Sequence, residues 1–325
     1  MDKTKIIIEV NTGVDDAIAL MIATQSEKLD ILGVTTVHGN VGLENATVNT
    51  LNVLKMLGRE DISVAKGASL PIVRNTVFAA EYAHDKNGLG NFHFESNSNK
   101  SLVVLPAWDF IYNKLIESDK KVTVCCLGPV TNVAILLTKH PEIKEKIDRI
   151  VFMGGSYDSG TVTPVACVNV YFDPDALQQV IHSGIPFYMA TMDTTTKCCL
   201  LEEDIAFLRS FKNNPAKNMV EMLEFYMDCD NKARRFPGIP MHGPTTIIAI
   251  TNPESFHYTK YRCEVELQGE ITFGMTVIYK DNRNGLEDGR AVIVGVPEEQ
   301  KNIWYMDEVK NREIIEIIKE AFKNA

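Results

Sequence analysis

Over its first 200 residues the chain alternates short β-branched runs with segments of helical period. Residues 6–10, Ile-Ile-Ile-Glu-Val, read as a strand. Residues 15–23 read as a helix in which Ala17, Ile18, Leu20, Met21 and Ile22 leave little polar face. Residues 31–37 predict a second strand and 45–57 a second helix, and further short apolar runs stand at 122–127, 150–153 and 187–190. Such runs, separated by helices, predict an α/β fold with a largely parallel, mixed central sheet covered on both faces. Ligands bind such sheets at the carboxyl ends of the strands. Beyond residue 200 the pattern predicts a helix over 202–225 and a loop over 228–244, where charges, Gly238 and three prolines gather. Strands over 262–278 and 291–296 and a terminal helix over 307–322 complete the expectation. No repeat, low-complexity tract or linker divides the chain, so a single domain over residues 1–325 is expected.

The composition narrows the partners. Hydrophobic residues make up 45% of the chain, and 43 acidic against 33 basic residues leave a formal net charge of -10. Phosphate backbones reward basic surfaces, so a nucleic-acid partner is disfavoured and a small neutral or cationic ligand fits better. The seven cysteines, Cys125, Cys126, Cys167, Cys198, Cys199, Cys229 and Cys263, include two adjacent pairs and no CxxC. That is no disulfide framework, and reduced thiols in a cytoplasmic protein are expected. No signal-peptide pattern precedes Ile6 and no apolar run of about 18 residues is present, so no membrane partner is expected.

The first chemistry lies where the first strand meets the first helix. Asp15 and Asp16 stand there, and a helix N-terminus stabilises nearby carboxylates by roughly 0.3–1 kcal/mol each. Gly13 permits a tight turn that presents both side chains. Adjacent carboxylates repel unless a cation or a polyol shares them, which suits a hard metal ion. An N-cap followed by a first-turn acid accounts for the same fragment with no ligand at all.

Further fragments decide between these readings. Glu9-Val10-Asn11-Thr12-Gly13-Val14-Asp15-Asp16-Ala17 is followed by Val34-Thr35-Thr36-Val37-His38-Gly39-Asn40 and His84-Asp85-Lys86-Asn87-Gly88-Leu89-Gly90. Then come Leu127-Gly128-Pro129-Val130-Thr131-Asn132, Met153-Gly154-Gly155 and Thr163-Pro164-Val165-Ala166-Cys167-Val168-Asn169. Asp173-Pro174-Asp175-Ala176 and Gly274-Met275-Thr276-Val277 close the series. In this order, across nearly the whole chain, the fragments resemble the inosine–uridine preferring nucleoside hydrolases, whose first loop reads Asp-x-Asp-Pro-Gly-x-Asp-Asp-Ala. The resemblance implies hydrolysis of the N-glycosidic bond of a ribonucleoside to ribose and free base. It also implies a calcium ion on the ribose 2′- and 3′-hydroxyls and on a water, and homo-oligomers of two or four copies. By resemblance, Asp16 matches the bidentate calcium ligand, and Asp15 the acid that contacts the metal-bound water and a ribose hydroxyl. Leu127 stands where a carbonyl ligand comes from, and Asn40 and Asn169 match amides that hold ribose hydroxyls. His84 and Met153 lie in matched pocket segments. His242 matches the histidine that protonates the departing base.

The sequence also departs from the family pattern. Asn11 stands where the family has an aspartate that is both metal ligand and general base, and an amide accepts no proton at neutral pH. Gly243 replaces a metal-binding aspartate, Cys167 a glutamate near the ribose 5′ region, and Glu9 an aspartate behind the site. Asp15, Asn11 and His242 therefore remain as catalytic candidates, and Asp16, Asp15, Asn11 and Leu127 as metal ligands. So few charges predict weak or absent calcium. Glu9, or Asp228 and Asp230, are candidates to restore the charge. Cys167 has no neighbouring base or cation to activate it, so a small residue in a widened pocket is expected rather than a nucleophile. Phe225, Tyr226, Arg234 and Phe236 either stack on a base or pack a helix. Three functions follow: a hydrolase with altered metal chemistry, a non-catalytic nucleoside- or ribose-binding protein, or a hydrolase of a different sugar substrate.

Overall fold

The computed structural model of the chain describes residues 2–74, 84–233, 236–280, 286–287, 290–291 and 295–325, with backbone alone at 229–233, 286–287 and 290–291. The first predicted strand is the axis of the molecule. β1 (Thr4–Val10) is buried from Ile6 onward, because its aliphatic residues meet helices on both faces. It pairs in parallel with β2 (Leu29–Thr36) on one side and β5 (Val122–Cys126) on the other. Beyond β2 lie β3 (Val64–Lys66) and β4 (Leu102–Val103), and beyond β5 lie β6 (Ile147–Met153) and β7 (Phe187–Ala190). The short β8 (Cys199–Leu200) and β9 (Ile239–Pro240) pair with each other away from the main sheet. So do β11 (Cys263–Val265) with β12 (Thr276–Ile278) and β13 (Leu286–Glu287) with β14 (Arg290–Ala291). With β10 (Phe256–Tyr261) and β15 (Ile303–Val309), the main sheet runs β10-β15-β7-β6-β5-β1-β2-β3-β4. Only its edge strand β10 is antiparallel, so the sheet is mixed and largely parallel as expected.

Helices cover both faces. On one face α1 (Val14–Gln25) packs against α2 (Leu43–Met56), α9 (Asn214–Ala233), α10 (His242–Thr251) and α11 (Asn311–Asn324). The other carries α3 (Ala107–Glu117), α4 (Thr131–Lys139) and α6 (Pro174–Ile181), with the one-turn α5 (Val168–Phe172) leading into α6. α7 (Met192–Thr195) and α8 (Glu202–Leu208) follow β7 and β8. Every residue of α1 from Val14 to Ala23 is buried, which is why its sequence shows little amphipathic contrast.

The carboxyl-terminal third differs from the sequence reading. The helix expected over 202–225 is two helices, α8 and α9, with Asn213 capping the second through its side chain on the Ala216 N–H at 2.7 Å. Residues 228–244 are not one loop, since α9 continues to Ala233 and α10 begins at His242. Pro244 is the third residue of α10, where its missing N–H needs no partner. The stretch 262–278 is two short strands and a turn, and of the strand expected over 291–296 residues 292–294 lie outside the described residues. The terminal helix begins at Asn311, because Ile303, Tyr305 and Met306 bury themselves as a strand between β7 and β10. No disulfide joins the six described cysteines, all buried. Among the described residues no helix is long and apolar enough to cross a membrane.

Two tight points in the central loops carry testable consequences. The Asn132 amide donates to Glu9 Oε2 at 2.7 Å and Thr36 O at 3.1 Å and accepts from the Ala68 N–H at 2.9 Å. A β-carbon on Gly67 would stand 2.3 Å from that amide and 2.4 Å from Thr36 O. Gly67→Ala should therefore lower stability by roughly 1–3 kcal/mol, read from the denaturant midpoint. His38, buried beside Thr131 and Phe172, is held near pKa 4 by desolvation, against an ordinary value of 6.5. The unfolded chain takes up that proton first, so its contribution is full above pH 6.5 and drains as pH falls through 4. His38→Gln should flatten the fall in melting temperature across that window.

Candidate active site

The sheet reverses direction at β1, since the chain steps to β2 on one side and to β5 on the other. In open α/β sheets the ligand site lies at such a switch point, in the crevice expected beyond the carboxyl ends of the strands, here past Val10 and Cys126. The loop of Asn11, Thr12 and Gly13 enters it from β1 and delivers Asp15 and Asp16 at the head of α1. Both acids are buried, at 6% and 2% exposure. Gly13 caps the helix with φ of -100°, an ordinary extended conformation, so turn freedom is not why glycine stands there. A β-carbon would lie 2.7 Å from the His84 ring and 2.8 Å from Asn40 Nδ2, so close approach is the reason.

Each acid is met by a backbone donor. The Gly13 N–H donates to Asp16 Oδ2 at 3.2 Å, and the Gly243 N–H to Asp15 Oδ2 at 3.1 Å. Burial first, and Asp15 second, push the Asp16 carboxyl well above the usual range. A β-carbon on Gly243 would come within 3.1 Å of Asp16 Oδ1, so the small residue leaves a space beside that acid.

The Asn11 amide has two orientations. In one, its bonds are a 3.5 Å contact to Asn169 Oδ1 and a 3.4 Å contact from Asn40 Nδ2, and its oxygen faces Asp16. In the other, its NH₂ donates to Asp16 Oδ2 at 3.1 Å and its oxygen accepts the Asn40 N–H at 3.1 Å. The second replaces the 3.1 Å oxygen–oxygen opposition at Asp16 with two bonds, at the cost of a longer 3.5 Å opposition to Asn169 Oδ1, and is the better-bonded of the two.

The other matched residues close the crevice. Asn169, on α5, donates through Nδ2 to the Leu127 carbonyl at 2.6 Å and to the Met153 carbonyl at 3.0 Å. His84 Nδ1 accepts the Val14 N–H at 3.2 Å, which places the ring proton on Nε2. Burial lowers its pKa and outweighs the opposing pull of Asp15. Tyr226 of α9 stands edge-on to this ring at 5.2 Å. Gly90 holds the same segment against α9 with φ of 61°, a left-handed conformation, and its Cα faces Phe225 too closely for a β-carbon. His242 opens α10 with Nδ1 2.7 Å from Thr195 Oγ1. Cys167 caps α5, and burial raises its thiol pKa, the opposite of what a nucleophile needs.

Hydrogen bonds thus join Asn11 to Asp16 and Asn40, and Asn169 to Leu127 and Met153. His84 meets the helix head at Val14, and Asp15 is held by the Gly243 N–H beside His242. None of these bonds reaches a compensating acid. Glu9 is bound by Asn132 and Thr35 and, held in a desolvated setting, titrates at about 8. Asp228 lies exposed on α9, and Arg234 and the side chain of Asp230 lie outside the described residues. Sequence reasoning missed Thr195, and Asn49, whose amide ties Thr12 to Asn87. It also treated Gly243 only as a lost ligand, whereas its N–H grips Asp15. A separate cavity of 640 Å³ lies beside His182, Arg262 and Trp304, at the amino end of β7 and β15, and no matched residue lines it.

Comparisons with known proteins identify the family and the fold. Residues 6–316 match the profile of the inosine-uridine preferring nucleoside hydrolases. The pyrimidine-specific ribonucleoside hydrolase RihA of Shewanella sp. (strain MR-7) is 37% identical over 292 residues, 90% of this chain and 91% of that protein. RihA of Escherichia coli O127:H6 is 36% identical over 300 residues, 90% and 93% of the two chains. The solved plant nucleoside hydrolase PpNRh1 superposes with a TM-score of 0.89 at 28% identity, over 99% of each chain. A purine-preferring ribonucleoside hydrolase from Gardnerella vaginalis does so with 0.88 at 26% identity, over 99% of this chain and 100% of that one. The chain belongs to the inosine-uridine preferring nucleoside hydrolase family.

Proposed function

We propose that this chain is an N-ribohydrolase that splits a ribonucleoside into ribose and free base. The observation that carries this is the buried acid pair at the switch-point crevice, ringed by the amides of Asn11, Asn40 and Asn169 and by His84. Such a ring suits a vicinal diol, since each amide both donates and accepts and each carboxylate accepts. The relatives' names include pyrimidine-specific and purine-preferring hydrolases, so they support a ribonucleoside without choosing its base.

In this reading the oxygen of a water forms a bond to the anomeric carbon as the carbon–nitrogen bond breaks. The bonding pair leaves with the base. Asp15 takes a proton from the water, and His242, in the role its resemblance to the family implies, gives one to the departing nitrogen. The two carboxylates favour the positive charge that develops on the sugar. Asn11 only positions, because its amide accepts no proton.

The family implies a metal. If calcium binds, Asp15, Asp16, the Asn11 oxygen and the Leu127 carbonyl are the groups to hold it, and it would polarise a water and the sugar hydroxyls. The donor set fits such an ion poorly. It offers two carboxylates, and among the described residues no group of three or more His, Cys, Asp or Glu side chains is placed to hold a metal. We therefore read calcium as weakly held or absent. The cysteine pattern supports action in the cytoplasm, and family resemblance alone supports an assembly of two or four copies.

The second reading, a nucleoside-binding protein without turnover, is favoured by one observation, the amide at position 11 where a base is needed. Release of free base from a panel of ribonucleosides separates the two. The hydrolase reading expects turnover that falls by roughly a hundredfold or more in Asp15→Asn with a smaller change in KM. Thermal stabilisation by a ribonucleoside with no base released would establish the binding protein instead.

A further inference from the structure

We infer that Asn11 stands in for the cation, so that hydrogen bonds rather than a divalent metal hold the acid pair. This deepens the reading of the crevice as a ribosyl site and rests on it only for the identity of the ligand. One oxygen of each acid and the Leu127 carbonyl, the groups a metal would draw on, already accept an N–H. Asp16 Oδ2 receives the Asn11 amide at 3.1 Å and the Gly13 N–H at 3.2 Å. Asp15 Oδ2 receives the Gly243 N–H at 3.1 Å, and the Leu127 carbonyl receives Asn169 Nδ2 at 2.6 Å. The Asn11 oxygen, the one further candidate ligand, is turned to the Asn40 N–H.

The residue types make this possible. With an aspartate at 11, an oxygen would face Asp16 Oδ2 at 3.1 Å, and such a pair needs a cation or a proton between its members. An asparagine supplies a donor at the same point. At 243, glycine removes a third carboxylate that would have stood beside Asp16 Oδ1. Both departures act in the same direction: each lowers the negative charge that would draw a divalent ion. The ribosyl hydroxyls then bind to the acids directly, without an intervening ion.

The test titrates calcium chloride into chelator-treated wild-type, Asn11→Asp and Asn11→Ala proteins by calorimetry, with the melting temperature read in chelator and in calcium. Wild type should show no saturable calcium heat, and a midpoint unmoved by about 1 mM calcium. Asn11→Asp should melt lower in chelator, recover in calcium, and bind it at least about a hundredfold more tightly than wild type. If Asn11→Asp does not fold in chelator, folding on addition of calcium counts the same way. Asn11→Ala removes the donor without adding charge, so it should melt lower and stay indifferent to calcium. Stoichiometric calcium binding by wild type at micromolar free ion overturns the inference. So does an Asn11→Asp protein that neither loses stability in chelator nor responds to calcium. A ribonucleoside melt of wild type in chelator keeps the two readings apart. No shift with any ribonucleoside, beside a calcium-indifferent wild type, sinks the ribosyl assignment and leaves the role of Asn11 intact.

Discussion

Two carboxylates shut away from water at the head of a core helix are the constraint on which the crevice depends. Burial alone would force them to keep protons or attract a cation, since desolvation disfavours the charged form. The helix head, the Gly13 and Gly243 N–H groups and the Asn11 amide offset that cost from four directions. This places demands on distant parts of the chain. Position 243 must bring its backbone close, position 13 must carry no β-carbon, and β1 must end where β2 and β5 leave a gap.

The amino-terminal architecture was legible because its strands are buried on both faces. Their sequences are uninterrupted apolar runs, and those runs announce a parallel sheet without any knowledge of pairing. The carboxyl-terminal third was less legible for the complementary reason. Ile303–Val309 lies beside the antiparallel edge and is only partly buried, so its period blends into that of the helix that follows. The stretch from Asp228 to Ala233 reads as a loop because its run of charged and polar residues carries no apolar period, although the helix continues to Ala233. The break at Asn213 depends on a side-chain cap that composition does not reveal.

The site shows the same division. The side chains gathered at the candidate site, such as Asp15, Asp16, Asn40 and Asn169, were readable from short fragments in a fixed order. Contacts made by backbone were not. Nothing in the letters at 243 says that an N–H there meets an acid 228 residues away, or that Gly13 is small because an imidazole lies against it. The compensating charge sought at Glu9 failed for a geometric reason. A residue on the same strand face can still be consumed by its own neighbours, as Glu9 is by Asn132 and Thr35.

His84 links two regions that are otherwise separate. One ring nitrogen receives the first N–H of α1 beyond its cap, and one ring edge borders Tyr226 of α9. The aromatic helix and the acidic helix are thus geared through a single imidazole. A tilt of α9 that made room for a larger heterocycle would be passed to the sugar end of the crevice, so selectivity and grip would evolve as one trait.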